Sequence, residues 1–104
     1  MDETTKDWLS QHFGEKDWIE DGYYRCRILN DEEVELAYLL PGYCGETVRH
    51  PQIRFQRQGS VFVPVVLIDQ VSQPMRYQTS DEDAAALQQA ADALIQKFKH
   101  AKGV

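Results

Sequence analysis

The sequence predicts an α+β domain: an antiparallel sheet of four to five strands, built as two consecutive hairpins, with a short N-terminal helix and a longer C-terminal helix packed on it. Three observations predict it. Strand-like runs fill 22–40 and 52–69, each broken by a short polar turn. Apolar residues at helical spacing occupy the two ends, near 4–13 and 80–101. No repeat, low-complexity tract or linker divides the 104 residues, so residues 1–104 form a single domain.

"TTKDWLSQHF" is the first helix. Thr4 or Thr5 is placed to cap it, Trp8, Leu9 and His12/Phe13 share one side, and Gly14 is the expected stop. The clearest hairpin follows, in "GYYRCRILNDEEVELAYLL". With Asn30, Asp31 and Glu32 as the loop, Ile28 faces Val34, Cys26 faces Leu36 and Tyr24 faces Tyr38. On the opposite side Arg27 meets Glu35 and Arg25 meets Ala37. A slip of one residue would set the apolar side chains of one strand against the polar ones of the other. This register puts Cys26 on the buried face, where a thiol behaves as a small hydrophobe.

"QIRFQRQGSVFVPVVLID" is the second hairpin. A Gln58-Gly59 turn pairs Phe55 with Phe62 and leaves Arg54 and Gln56 on the other side. Its second strand is apolar on both faces, which calls for cover on both sides or a subunit contact. Pro64 lacks an N–H and calls for an edge or a bulge. A dimer interface or a bulge would reconcile the two demands. "PMRYQT" offers a fifth strand. In the final helix Ser80 and Asp83 have capping-box spacing, acids fill the first turn, and lysines and His100 fill the last. Ala84, Leu87, Ala91, Leu94 and Phe98 form its core-facing stripe. Between the hairpins "GYCGETVRH" is a long connection, with one strand ending at Pro41 and the next starting near Gln52.

Composition narrows the functions. The net charge of −6 opposes general nucleic-acid binding, which depends on neutralising phosphates. The charge is uneven, however. Residues 1–35 hold eleven acids against four bases, and all six arginines lie between Arg25 and Arg76. The acidic start "MDETTKDW" has no apolar signal region, and the longest apolar run, residues 61–68, is too short to cross a bilayer. With two cysteines at wide spacing, the expectation is a soluble cytoplasmic protein with reduced thiols and no membrane contact.

Chemistry-bearing residues are few. Cys44 lies between glycine-rich turn residues with Arg49 and His50 close behind, but no third orienting group stands at recognisable spacing. His12, His50 and His100 are scattered and form no metal-binding pair with each other or with cysteine, so neither metal nor cofactor is expected. Trp18 and Ile19 interrupt an acidic run and suit a core plug; the alternative is an exposed anchor for a partner. The arginines offer planar donors for carboxylate or phosphate, unless the chain's own seventeen acids occupy them.

These features favour a small acidic non-enzymatic protein acting through protein–protein contacts, as an inhibitor, immunity protein or adaptor does, with a homodimer among the options. Its candidate contact residues are Tyr43, Cys44, Arg49, His50, Arg54, Arg57 and Trp18. One alternative is a small enzyme or ligand-binding fold using the Cys44/His50 loop with nearby arginines. A further one is binding of an anionic ligand or single-stranded nucleic acid on the arginine-bearing face, with Tyr23 or Tyr77 stacking.

Overall fold

The computed structural model describes residues 1–103. Helix α1 (Glu3–His12) precedes strands β1 (Asp17–Ile19), β2 (Gly22–Ile28), β3 (Glu33–Pro41), β4 (Thr47–Gln58), β5 (Val61–Asp69) and β6 (Arg76–Thr79), and helix α2 (Ser80–Ala101) ends the chain. The strands form one antiparallel sheet in chain order. The fold is therefore α+β, as expected, with six strands rather than four or five. The added strand is β1, hidden in the acidic run around Trp18.

Both helices lie on one face. Leu9 and Phe13 from the N-terminal end, and Leu87, Ala91, Leu94, Ile95 and Phe98 from α2, share a buried cluster with Tyr24, Cys26, Val34, Leu36, Tyr38, Ile53, Phe55, Phe62 and Leu67. The sheet residues of that cluster alternate along β2, β3 and β4, as a sheet with one covered face requires, while Phe62 and Leu67 of β5 are set at odd spacing by an inserted residue. Ala37 and Leu39 are also buried but lie outside the cluster, on the other face.

The β2–β3 hairpin holds the expected register throughout, from Ile28 opposite Val34 to Tyr24 opposite Tyr38. The β4–β5 hairpin turns one residue later than expected. Gln58 pairs with Val61, so the turn is Gly59-Ser60, and Gly59 adopts a φ of +67° that suits glycine. Phe62 then pairs with Arg57 rather than Phe55, yet both phenylalanines stay on the core face because the register moves by two. Arg54 pairs with Val66 and Phe55 with Pro64, which leaves Val65 as an inserted residue. The bulge sits beside the proline that called for it.

The connection between the hairpins is shorter than expected. Strand β4 begins at Thr47, so only Gly42–Glu46 turns the chain. Arg49 and His50 are strand residues, not loop residues. Pro51 obscured this in the sequence, because proline reads as a strand break. The ladder accommodates it with a second irregularity: Ala37 pairs with Gln52 and Leu39 with Arg49, so His50 and Pro51 together face Tyr38.

The helix ends also differ. Asp2, not a threonine, caps α1 by accepting the Thr5 N–H at 2.7 Å. Phe13 rather than Gly14 ends the helix, in extended backbone that turns its ring into the core. In α2 the Ser80–Asp83 box does not form. Asp83 itself is non-helical and its Oδ1 accepts the Ala86 N–H at 3.0 Å, capping the long run that follows. Ala84 is exposed in consequence, and Ile95 joins the stripe in its place. No helix among the described residues is long and apolar enough to cross a membrane.

Candidate functional site

Strand pairing lays out the face without helices as cross-strand rows. One row runs Trp18, Tyr23, Leu39, Arg49. The next runs Arg25, Ala37, Gln52, Ile68, Tyr77, and the third Arg27, Glu35, Arg54, Val66, Thr79. This open face has three regions: an aromatic corner at β1–β2, a charged centre, and an apolar flank of Val66, Ile68 and Tyr77.

The centre is a ladder of alternating charge. Glu15 receives Arg27 Nη2 at 2.7 Å and lies within 3.8 Å of Arg25 Nε. Glu35 lies 3.5 Å from Arg25 Nη1 and 3.9 Å from Arg27 Nη1, and Arg54 reaches Glu33 at 3.6 Å. Glu35 is buried at 8% exposure, and among the described residues its Oε1 has no hydrogen-bond partner. Its charge is compensated by the two nearby guanidiniums without directed bonds. The anticipated Arg27–Glu35 pair is thus the longer of two contacts, because the chain before β1 brings Glu15 within better reach. The Arg27 hydrogen bonds hold the Glu15 carboxyl below its ordinary range.

The candidate residues from sequence do not converge on one loop. Tyr43 and Cys44 occupy the exposed β3–β4 turn, which Glu46 closes by accepting the Cys44 N–H at 3.0 Å. Arg49, Arg54 and Trp18 lie on the open face. Trp18 is 52% exposed, against the core-plug expectation. On a three-residue strand Ile19 takes the core side, so alternation sends Trp18 outward. Arg57 belongs to the helix-bearing side: it sits over the Phe62 ring at 4.5 Å and pairs with Glu3 at 3.2 Å. It lines a cavity of about 350 Å³ with Glu3, Lys6 and Phe62, at the end of the sheet away from the β3–β4 turn. Arg76 pairs in register with Asp69 and shares its side of the sheet.

His50 points to the core side, with Nδ1 2.9 Å from Asp69 Oδ1. An ionised carboxylate can only accept, so Nδ1 carries the proton. Burial works to raise the Asp69 pKa, but hydrogen bonds from His50 and the Val71 N–H outweigh it and hold the carboxyl below its ordinary value. His50 makes no hydrogen bond to Cys44. Asp69 was missed in the sequence, although a signal existed: it is one of only two acids between residues 36 and 80. Tyr23 and Leu39 were not singled out as neighbours of Arg49, because the bulge at Tyr38 sets which residue of β4 faces Leu39.

Among the described residues no three His, Cys, Asp or Glu side chains gather as a metal site requires. Neither known protein families, nor curated proteins, nor solved structures yield a match to this chain.

Proposed function

We propose that the protein is a non-enzymatic binding module that holds a protein partner on the open face of its sheet. One observation carries this reading. A face without helices presents exposed Trp18 and Tyr77, half-buried Tyr23, Val66 and Ile68, and interleaved arginines. Solvated faces of antiparallel sheets are usually polar. Tryptophan, tyrosine and arginine are the residue types that dominate binding energy at protein interfaces. Inhibitor, immunity or adaptor activity in a reducing cytoplasm fits this reading, as does pairing with a second copy. Both cysteines are free, Cys26 buried and Cys44 exposed, which suits such a compartment. Asp69 orients the His50 ring through Nδ1, but the enzymatic alternative also needs that ring to reach Cys44, which stands on a separate turn and makes no hydrogen bond with it.

Affinity capture from native cytosol tests the reading. Trp18→Ala and Arg54→Ala are expected to lose the captured protein, whereas Cys44→Ala and His50→Ala retain it. Capture that survives both open-face substitutions and fails with Cys44→Ala would overturn it.

A further inference from the structure

The arginines are not equally committed. Arg25, Arg27, Arg54 and Arg57 each lie within 4 Å of a carboxylate of this chain. Arg49, on the open face, has neither an ion pair nor a side-chain hydrogen bond among the described residues. Arg76 also lacks an ion pair but donates Nε to Gln78 Oε1 at 3.0 Å, so Arg49 alone of the six arginines has neither kind of side-chain partner among the described residues. Lys16 likewise has no ion pair there, and its Nζ rests 4.5 Å from the centroid of the Tyr23 ring. Trp18 meets the same tyrosine edge-on, with ring centroids 4.9 Å apart. Between Tyr23 and Arg49 in the row lies Leu39, only 1% exposed although no helix covers it. One corner of the face thus carries two uncommitted cations and two aromatic rings around a buried leucine.

We propose that this corner takes a carboxylate-bearing segment of a partner protein, one or two Asp or Glu side chains flanked by apolar residues. The inference rests on the binding-module reading and names the chemistry of its partner. Arg49 and Lys16 receive the carboxylates, and Trp18 and Tyr23 pack against the apolar flank. Desolvation by the rings strengthens the ionic contact. A nucleic acid fits less well, because its regular phosphates could not avoid the acids on the rest of a chain carrying −6. A second copy carries the same −6 and is repelled at long range. A partner that is neutral or basic overall and presents an isolated carboxylate meets neither obstacle.

The test titrates the protein, followed by amide and Trp indole NMR shifts, with an acetylated, amidated peptide carrying a single glutamate flanked by leucines. The same peptide with glutamine for glutamate, and a short oligothymidylate, are titrated in parallel. The glutamate peptide is expected to shift Trp18, Tyr23 and Leu39. The double variant Lys16→Ala/Arg49→Ala is expected to weaken it about tenfold or more. Equal binding of the glutamine peptide, shifts located elsewhere, tighter binding of the oligothymidylate, or an unaffected double variant would overturn the proposal. So would a Trp18-dependent dimer in light scattering. If the peptide fails while cytosolic capture still depends on Trp18, the binding face stands and only the carboxylate assignment falls.

Discussion

Gly22 lies flush against the ring of Tyr38, and Tyr38 donates its hydroxyl proton to Asp21 Oδ1 at 2.8 Å. A Cβ at position 22 would overlap the ring and hydroxyl of Tyr38. The tyrosine cannot yield freely, since Tyr24 packs against it at 5.1 Å and Lys97 Nζ sits 4.2 Å over its face. Gly22→Ala is therefore expected to destabilise by about 1–3 kcal/mol, the range for overpacking a filled site. Tyr38→Phe keeps the ring and loses one hydrogen bond to a partly exposed carboxylate, for about 1–2 kcal/mol. Urea denaturation measures both. An unchanged midpoint for Gly22→Ala would show that the β1–β2 turn does not pack on Tyr38.

The Asp69 carboxyl gives the fold a defined acid sensitivity. Its pKa is lowered on folding, so the unfolded chain binds its proton more tightly than the folded one does. The stabilisation is fully present above the unfolded value of about 3.9 and is lost as pH falls through the folded value beneath it. Asp69→Asn is expected to flatten the pH dependence of the unfolding midpoint below about pH 4. A parallel loss of stability in both proteins between pH 5 and 3 would refute the assignment.

Much of the sheet was legible because strand alternation carries its own check: Ile28, Cys26 and Tyr24 find apolar partners in only one register. The same logic kept Phe55 and Phe62 on the core face even though their pairing was misread. What escaped was whatever depends on an insertion. Val65 and the His50–Pro51 pair each add a residue to a ladder, and no local pattern distinguishes an inserted residue from a strand end. For that reason Arg49 and His50 passed for loop residues. Strand β1 escaped because three residues are too few to show a period. For Trp18 hydrophobicity alone favours a core plug and leaves an exposed anchor as the alternative, and on a short edge strand the choice between Trp18 and Ile19 is made by which one meets the helix-bearing side. The site was legible as a set of residue types but not as a place, since the β3–β4 register decides which of them are neighbours.

Thiol chemistry separates the two cysteines. Burial pushes the Cys26 thiol up to about 11, so the thiolate that attacks disulfide reagents is scarce at neutral pH. Its side chain is also enclosed between the sheet and the helices. Cys44 stands exposed on the β3–β4 turn. A disulfide reagent at pH 8 is expected to titrate one thiol in the native protein and a second only after denaturation. Cys44→Ala should abolish the native reaction and leave the denatured one at a single thiol. Rapid reaction of two thiols in the native state would place Cys26 outside the core.

The start of α2 offers the sharpest contrast between the pattern in the sequence and the observed geometry. Capping-box spacing nominates Ser80, but Thr79 stands at the N-cap and makes no side-chain cap bond, and Asp83 breaks the helical run at φ −153°. Its side chain then satisfies the Ala86 N–H, three residues on, as an N-cap residue does. The three residues before it form a separate turn that no side chain caps at its start. Asp83→Ala is accordingly expected to destabilise by about 1 kcal/mol, lowering the melting temperature by about 4–8 °C in a domain of this size. Asp83→Asn keeps the acceptor and should recover most of that loss, whereas Ser80→Ala should change little. Thermal melts followed by far-UV circular dichroism distinguish the cases. A larger loss from Ser80→Ala than from Asp83→Ala would mean that the helix begins at Ser80 and that Asp83 is a surface residue.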